Sequence, residues 1–409
     1  MNILIVTQYF WPEVFRINDL VEGLALRGHQ VTVLTGKPNY PNGKFYQGYG
    51  FLKKNNEFYG TVKVVRSPLI PRGKSSKILL ALNYLSFAFL ASIVGILKCA
   101  RPDVIFVYEP SPITVGLPAI FFKKIKKAPI LFWVQDLWPE SVVAVDAVRS
   151  RIILRILEKL VHFIYKRCDY ILTTSKAYFD SIKRFNVPEK KLYYFPQTAE
   201  ALYQPVKNVM NLPEEKLLPK GFRVVFSGNL GAAQDVETII RAAGLLKEYI
   251  EIKWIFLGDG RKRIWLQNEI KQCGLDETVV WLGQHPVETM PNFFALSDAL
   301  LVTLKDDPVF SLTIPAKIQS YLACAKPIVA ALNGEGSRII EEAKAGFVNE
   351  SGNFKALARN VLRMYKINAA ERNQMGQNGR EYFKQHFERD KLLKNLEQWM
   401  IELKEQTKR

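Results

Sequence analysis

The stretch PVFSLTIPAKIQSYLACAKPIVAAL, residues 308–332, combines a polar segment, a helix and a buried strand. Pro315 suits the first turn of a helix, where a missing N–H is no loss, and Ser311 or Thr313 can cap the free amides. Apolar residues follow at helical spacing, and Lys326-Pro327 is expected to end the helix before the strand begins. The pattern therefore predicts a helix N-terminus that faces a loop crevice.

Lys317 lies at the start of this predicted helix. A cation in the first helical turn opposes the helix dipole by roughly 0.3–1 kcal/mol, and a bound anion would reverse the sign of that effect. Free amides, a dipole end and a lysine together suit a phosphate group. The alternative is a solvated lysine that binds no ligand.

Near-continuous apolar strands alternate with amphipathic helices along the chain, which predicts parallel sheets covered on both faces. The predicted strands are 2–7, 30–35, 62–68, 104–108, 130–135, 170–174, 192–195, 223–227, 252–257, 279–282, 299–304, 327–332 and 346–349. A length of 409 residues suffices for two such domains, and the polar segment 196–218 is a plausible linker. We predict doubly wound α/β domains over residues 1–196 and 197–387.

The cysteines and histidines indicate the redox compartment of the protein and whether a zinc site is expected. The four cysteines form no CxxC pair, and the four histidines never occur at ligand spacing, so we expect free thiols in a reducing compartment and no zinc site. The N-terminal MNILIVTQYFWPE lacks the basic region and cleavage site of a signal peptide. It predicts a first β-strand and a cytoplasmic protein.

The positive charge is concentrated in the first half of the chain. Residues 1–195 hold 28 Lys and Arg against 13 Asp and Glu, a net +15 out of +18 for the whole protein. This asymmetry favours a polyanionic partner, either nucleic acid or an anionic membrane face.

The segment Ile78–Leu97 is nearly long and apolar enough to span a bilayer. A single crossing would place strands of one sheet on opposite sides of the membrane, so we reject it. Two readings remain, a helix buried against the sheet and a helix with one face in the bilayer surface. Basic runs at 53–54, 123–127 and 149–167 favour the second.

Glycines follow two predicted strands of the second half. Gly258-Asp259-Gly260 precedes Arg261, and Gly228-Asn229 precedes a helix. Glycines permit close approach of the backbone to a phosphate, although a truncated GxG is also common in ordinary turns. The full dinucleotide fingerprint and the Walker A pattern are absent, which argues against NAD binding and ATP hydrolysis.

Polar and aromatic residues follow three predicted strands of the first half, where a parallel sheet binds its ligands. We expect them to contact sugar hydroxyls, unless the tryptophans are loop packing and the aspartate is a helix cap. They are Trp11, Glu13, Glu109, Gln135, Asp136 and Trp138.

The motifs resemble, over nearly the whole chain and in the same order, those of family 4 retaining glycosyltransferases of GT-B fold. They are MNILIVTQYFWPE, RPDVIFVYEPSP, FWVQDLWPES, FSGNLGAAQDVETIIRAA, FLGDGRKR and FSLTIPAKIQSYLACAKPIVAALNGEGSRIIEEAKAGF. The subgroup that the chain most resembles assembles bacterial O-antigen, capsule or colanic-acid repeats and includes N-acetyl-L-fucosamine transferases.

The resemblance implies two Rossmann-like domains facing an interdomain cleft, with the donor on the second domain and the acceptor on the first. It implies a metal-independent, retaining sugar transferase without a cofactor, acting from a UDP-sugar onto a polyprenyl-diphosphate-linked acceptor. The enzyme would work peripherally on the inner face of the bacterial plasma membrane. The C-terminal helix, residues 388–409, is expected to pack back on the first domain.

The residue patterns and the resemblance together suggest the site residues. Lys317 and Asp136 would be catalytic, with Lys317 and Arg261 neutralising the donor diphosphate. The other donor-side residues would be Gly228, Asn229, Gly258, Gly260, Ser311, Leu312, Thr313 and Ser320. The acceptor side would comprise Trp11, Glu13, Glu109, Gln135 and Trp138.

The chain departs from the family at several of these positions. Many relatives have two glutamates where Leu312 and Ser320 stand here, and others have an arginine and a lysine where Asn229 and Gln234 stand. Gln135 replaces a histidine that often contacts the sugar in relatives. Two other functions remain open: a nucleotide-sugar epimerase of the same architecture, and a non-catalytic polyanion-binding protein, although no standard nucleic-acid motif is present.

Overall fold

The computed structural model describes residues 1–74, 76–144 and 148–408. Two compact units account for the chain: Met1–Pro196 together with Asp390–Arg409, and Gln197–Arg389. We call them unit 1 and unit 2. The boundaries predicted from the sequence, after residues 196 and 387, fall within two residues of these limits.

Unit 1 is built on an eight-stranded sheet in the order β3-β4-β2-β1-β5-β6-β7-β8, parallel except for β3. The strands are β1 Asn2–Val6, β2 Gln30–Gly36, β3 Asn56–Tyr59, β4 Val62–Ser67, β5 Val104–Glu109, β6 Ile130–Val134, β7 Tyr170–Thr173 and β8 Leu192–Tyr194. Its helices before unit 2 are α1 Ile17–Leu26, α2 Lys77–Lys98, α3 Gly116–Lys126, α4 Glu140–Ala144, α5 Arg151–Arg167 and α6 Tyr178–Lys183.

Strand β3 is the one strand of this sheet that the sequence does not predict. Its four residues, NEFY, pair antiparallel with β4 at the sheet edge and remain partly exposed. The hydrophobic run that marks the buried parallel strands is therefore missing.

Unit 2 contains a six-stranded, fully parallel sheet in the order β11-β10-β9-β12-β13-β14. The strands are β9 Phe222–Ser227, β10 Ile252–Leu257, β11 Val279–Gly283, β12 Ala299–Thr303, β13 Ile328–Ala331 and β14 Gly346–Asn349. The helices are α7 Val236–Leu245, α8 Arg263–Gln272, α9 Met290–Ala295, α10 Pro308–Ser311, α11 Ala316–Ala323, α12 Glu335–Glu342, α13 Phe354–Lys366 and α14 Ala369–His386. Both units thus have the predicted doubly wound α/β architecture.

The last helix, α15 Arg389–Lys408, belongs to unit 1. Its apolar side chains lie in one core with strand residues such as Ile3, Phe106 and Trp133; they are Leu392, Leu393, Leu396, Met400 and Leu403. Glu397 on the same helix bonds to Arg27 at 2.6 Å and to His29 at 2.7 Å. The predicted helix 388–409 can be compared only to residue 408, because Arg409 lies outside the described residues.

The stretch 308–332 differs from its prediction in two details. Its first residues form the short helix α10, and α11 ends at Ala323, before the predicted stop at Lys326-Pro327. Ala325 turns the chain in a left-handed conformation, with φ +55°. A turn at Ala325 therefore starts the connection to β13 earlier than the proline does.

Candidate functional site

Two glycines bond the ends of neighbouring strands: Gly228, after β9, bonds to β10, and Gly258, after β10, bonds to β11. Gly228 N donates to Leu257 O at 2.8 Å, and Gly258 N donates to Gly283 O at 2.7 Å. Gly258 has φ +136°, and a Cβ there would lie 2.0 Å from Gly228 O, so only glycine fits. These two N–H groups are therefore used within the sheet and are not available to a phosphate, and the predicted close approach of the glycine backbone to a phosphate stays a prediction.

The loops that follow the two strands also pack closely. A Cβ on Gly260 would lie 2.6 Å from Leu230 O, and Leu230 N donates to Asp259 O at 2.9 Å. This packing leaves Asn229 and Arg261 exposed. In the part of the chain that the structure describes, Arg261 makes no hydrogen bond or ion pair.

The neighbouring cations are engaged. Lys262 pairs with Glu237, and Arg263 lies 3.6 Å from Asp259. Of the three consecutive basic residues, only Arg261 is available to a ligand.

Lys317, the second residue of α11, lies over the end of β9. Its Nζ is 3.8 Å from the centroid of the Phe226 ring, and a Cβ built on Gly228 would lie 3.4 Å from it. The placement follows from Tyr321, one helical turn further along the same face, whose hydroxyl accepts Ser227 N at 3.2 Å. The lysine predicted from the sequence and the predicted glycine junction are thus adjacent.

The charged end of Lys317 has a neutral partner. Nζ donates to Gln234 Oε1 at 2.9 Å, and no carboxylate of the described residues lies within ion-pair distance. The residue as a whole is half-buried, but its ammonium is enclosed, and this burial lowers the pKa of Lys317 to about 7. An enclosed cation without a counterion is suited to an anionic ligand.

Gln234 is itself held in place. Its backbone oxygen accepts the hydroxyl of Thr303 at the end of β12, and Lys305 N bonds to the preceding carbonyl, Ala233 O, at 3.0 Å. Gln234 therefore offers the Lys317 ammonium a neutral acceptor whose backbone is fixed.

The segment between α10 and α11 does not cap α11. Ser311 Oγ donates to Asp307 O at 3.3 Å and Thr313 Oγ1 to Val309 O at 3.0 Å, while the N-cap of α11 is Pro315, without a side-chain cap bond. The prediction that Ser311 or Thr313 caps the helix is wrong because both hydroxyls face back into α10.

The remaining donor-side predictions lie in the same region. Leu312 is half-buried at the end of α10, and Ser320 is buried within α11. Asp306 and Asp307 act locally, since Asp306 accepts Asn333 Nδ2 at 2.9 Å and Asp307 caps α10 through Val309 N at 2.9 Å. Across residues 1–74, 76–144 and 148–408, no group of three or more His, Cys, Asp or Glu residues is arranged so that it could hold a metal ion.

In unit 1, two carboxyl groups meet at the carboxyl ends of β5 and β6. Glu109 is fully buried, and burial followed by the charge of Asp136 raises the pKa of the Glu109 carboxyl well above its usual range. The backbone amides of Asp136 and Gln135 lower the pKa of Glu109, but by less than burial raises it. Within the described chain, neither carboxylate oxygen of Glu109 makes a hydrogen bond of regular geometry. Burial also raises the pKa of Asp136 to about 7. Burial therefore disfavours the charged form of both carboxyl groups.

The other acceptor-side residues have structural partners. Glu13 is buried and accepts the amides of Asn39 at 2.8 Å and Tyr40 at 2.7 Å, so it fixes a loop. Trp11 lies 5.6 Å from the Tyr59 ring, centroid to centroid.

Besides Asp136, the two other residues predicted after β6 are both buried. They are Gln135, whose backbone oxygen accepts the Tyr178 hydroxyl at 3.3 Å, and Trp138.

The sequence analysis does not identify a cluster around Arg72. Arg72 Nη1 lies 3.4 Å from the Tyr9 hydroxyl, and its guanidinium lies 4.9 Å from the centroid of the Tyr40 ring. Tyr84 of α2 lies close enough to Tyr9, Ser111 and Arg72 to interact with each, and burial raises the pKa of its phenol. The only local signal is that Asn83, Tyr84 and Ser86 interrupt an apolar run.

Comparison with known proteins gives two family matches. Residues 15–197 match "Glycosyltransferase Family 4", and residues 211–382 match "Glycosyl transferases group 1". The chain is 23% identical over 346 residues to the "Putative colanic acid biosynthesis glycosyl transferase WcaI" of Escherichia coli (strain K12), covering 79% of this chain and 81% of that one. It is 19% identical to the N-acetyl-alpha-D-glucosaminyl L-malate synthase of Bacillus anthracis, over 59% of this chain and 61% of that one.

Solved structures with the same fold include a sucrose-phosphate synthase from Thermosynechococcus elongatus, with a TM-score of 0.77, 16% identity and 98% of each chain covered. Anabaena Alr3699/HepE in complex with UDP has a TM-score of 0.71 and 15% identity, over 98% of this chain and 100% of that one. These similarities show a GT-B fold.

Proposed function

We propose that this chain, which has the domain content of a GT-B glycosyltransferase, moves a sugar from a UDP-linked donor to a lipid-linked acceptor. Its two domains are a Glycosyltransferase Family 4 domain over residues 15–197 and a Glycosyl transferases group 1 domain over residues 211–382. The proposed donor sugar is a deoxy-N-acetylhexosamine such as N-acetyl-L-fucosamine. The proposed acceptor is a polyprenyl-diphosphate-linked saccharide of a bacterial O-antigen or capsule. The colanic acid relative supports a role in surface polysaccharide, and the N-acetylglucosaminyl relative supports an N-acetylated sugar.

The observation that carries this proposal is the environment of Lys317. An enclosed ammonium without a carboxylate lies at the N-terminus of α11 and beside Gly228. A diphosphate there would supply the missing counterion and would also interact favourably with the helix dipole. The exposed Arg261, on the neighbouring glycine loop, can add a second cation.

The proposed reaction is metal-independent and retains the configuration at the sugar. This chain contributes by holding the donor and by stabilising the diphosphate as it departs, through Lys317 and the helix dipole. In unit 1, Asp136 would face the acceptor sugar, and a carboxyl whose pKa is about 7 can either donate or accept a hydrogen bond to a hydroxyl.

The donor test is a thermal-shift measurement with UDP, GDP, dTDP and a panel of UDP-sugars. UDP at a hundredfold excess over its dissociation constant should stabilise the folded protein by about 2.7 kcal/mol. For a unit of this size that raises the midpoint by roughly 5–10 °C. Absence of a shift with every nucleoside diphosphate would contradict the proposal.

Product analysis then separates the alternatives. Incubation with the stabilising UDP-sugar and a polyprenyl-diphosphate-linked acceptor should yield UDP and a longer glycolipid. A change in the configuration of the free nucleotide sugar, without transfer, would instead identify an epimerase.

Membrane association is the second part of the proposal. Helix α2 passes a length and hydropathy test for a membrane span, and only a minor part of it is buried. A crossing would separate β4 from β5, which lie in one sheet. The exposed apolar side chains of α2 recur every three or four residues, on one face: Ile78, Leu82, Leu85, Phe89, Ile93 and Leu97.

Helices α3 and α5 extend this surface. They lie on the same face of the sheet as α2, because all three connect parallel strands in the same direction, and α3 contacts both of the others. They expose apolar residues interspersed with cations, namely Phe121, Lys124, Ile125, Arg151, Ile152, Arg155, Ile156 and Lys159. Apolar groups beside lysines and arginines match an anionic bilayer surface, and the proposed occupant is the inner face of the plasma membrane.

Vesicle sedimentation tests this surface. Leu85→Ser with Phe89→Ser should lower partitioning into anionic vesicles by about tenfold or more, because two exposed apolar side chains no longer enter the bilayer. The matched control is Ile250→Ser with Ile264→Ser in unit 2, which removes two side chains of similar exposure. Equal loss in both variants, or binding unaffected by anionic lipid and by salt, would refute a specific membrane face.

A further inference from the structure

The segment before α2 is bonded to the polar face of that helix. Asn83 Nδ2 donates to Ile70 O at 2.6 Å, and Ile70 N donates to Ser86 Oγ at 3.0 Å. Arg72 N donates to Asn39 Oδ1 at 3.0 Å, which fixes the segment to the loop after β2. The backbone of Arg72 is therefore held by α2 on one side and by the sheet edge on the other.

The guanidinium of Arg72 has only neutral neighbours. It lies 3.4 Å from the Tyr9 hydroxyl and over the Tyr40 ring, and no carboxylate of the described residues is within ion-pair distance. The Tyr84 and Ser111 hydroxyls complete the cluster, since the Tyr84 phenol lies close enough to interact with Tyr9, Ser111 and the Arg72 charge. A fork-shaped cation beside the Tyr9 hydroxyl, with the Tyr84 and Ser111 hydroxyls in the same cluster, is complementary to a phosphate group.

The position of this cluster indicates what the phosphate is attached to. Tyr84 lies on the inner side of α2, whereas Leu82, Leu85 and Phe89 expose the apolar side of the same turns to solvent. A ligand at Arg72 can thus have its anionic head within unit 1 and an apolar chain along α2. Tyr84 is also close enough to Asp136 for the aspartate charge to raise the pKa of the phenol.

We propose that Arg72, Tyr9 and Tyr84 form a binding site for the diphosphate of a prenyl-diphosphate amphiphile, with the prenyl chain against the exposed face of α2. This proposal rests on the proposed transfer to a lipid-linked acceptor, and it assigns the residues that would bind the acceptor's diphosphate. A sugar carried on the far phosphate would then be directed toward Asp136.

The test is equilibrium binding of farnesyl diphosphate, presented in neutral phosphatidylcholine nanodiscs, to the full-length protein. Arg72→Gln should weaken binding by tenfold or more, because the fork of charged donors is lost, and Tyr84→Phe should weaken it by about threefold. Lys74→Gln is the matched control: it removes an exposed cation two residues away and should change binding by less than twofold. Arg72→Lys should recover only part of the affinity.

Two further ligands show which part of farnesyl diphosphate the site recognises. Farnesol lacks the diphosphate, and its binding should be insensitive to Arg72→Gln. Inorganic diphosphate lacks the chain and should compete weakly, yet still lose affinity in that variant. Equal weakening by Arg72→Gln and Lys74→Gln would overturn the site in favour of diffuse charge attraction, and unchanged binding in Arg72→Gln and Tyr84→Phe would also overturn it.

The readouts separate this site from the donor site. UDP should raise the melting temperature of Arg72→Gln as much as that of the wild type, because the predicted UDP contacts lie in unit 2. Arg72-dependent binding of farnesyl diphosphate without any UDP shift would retain the prenyl-diphosphate site and reject the transferase. If UDP raises the melting temperature normally but Arg72→Gln leaves farnesyl diphosphate binding unchanged, only the prenyl-diphosphate site is rejected.

Discussion

Removal of residues 390–409 is expected to leave unit 1 unable to fold. The deletion takes five buried side chains out of its core, namely Leu392, Leu393, Leu396, Met400 and Leu403. At roughly 1.5–3 kcal/mol for each buried apolar side chain, the loss is of order 10 kcal/mol, which is as large as the whole stability of a typical domain. The ion pair of Glu397 with Arg27 and its contact with His29 are lost as well.

Point variants make this expectation quantitative. Leu396→Ala, at a fully buried position, should lower the free energy of unfolding of unit 1 by about 2–5 kcal/mol in urea denaturation. Ile401→Ala lies on the same helix with its side chain 45% exposed, and should have a much smaller effect. Similar losses in the two variants, or unchanged hydrogen exchange in β1 and β6 after the deletion, would show that α15 does not stabilise unit 1.

Lys317→Met should separate donor binding from stability. The substitution removes a charge-assisted contact to the diphosphate worth roughly 1.5–3 kcal/mol. UDP affinity should therefore fall by about tenfold to over a hundredfold. The free protein should become more stable at neutral pH, because an enclosed cation without a counterion has been replaced by an apolar side chain of similar length.

The pH dependence of that stability gain has a defined sign. Burial lowers the pKa of Lys317 from 10.5 to about 7, so between these values the unfolded chain holds a proton that the folded chain has released. The wild type therefore gains stability relative to Lys317→Met as the pH rises from 7 toward 10, and the deficit is greatest below pH 7.

Arg261→Gln is the matched control for this cation, since its side chain is exposed and makes no ion pair within the described residues. We expect it to weaken UDP binding less than Lys317→Met does. The reverse order, together with a lower melting temperature for Lys317→Met, would assign the diphosphate contact to Arg261.

The sequence predicts the sheets well because parallel strands are buried on both faces. Runs such as VIFVY and ILFWV predict β5 and β6 to within one residue at either end. Strand β3 lacks such a run, and the chain leaves α11, which ends at Ala323, through a left-handed turn at Ala325 without a glycine or asparagine. An alanine in a left-handed conformation cannot be recognised from the sequence, because alanine does not favour that conformation.

The candidate site could be predicted only where a local pattern exists. Lys317 is identifiable because it is a cation in a first helical turn. Gly228 and Gly258 follow strands as phosphate-binding glycines do, but hydrogen bonds to neighbouring strands of the sheet, far apart in sequence, use their amides. The Arg72 cluster joins Tyr9, Arg72 and Tyr84 across three chain segments, and no spacing rule along a single sequence describes such contacts.

Proton uptake on UDP binding tests the central claim most directly. At pH 8 a lysine with a pKa of about 7 is mostly neutral, and a diphosphate beside it should restore its charge. The phosphate itself has a second pKa near 6, so it contributes little at this pH. Calorimetric titration in buffers of different ionisation enthalpy should give close to one proton, about 0.9, taken up per UDP by the wild type and about none by Lys317→Met. Binding without proton uptake, or the same uptake in Lys317→Met, would contradict the assignment of Lys317 to the donor diphosphate.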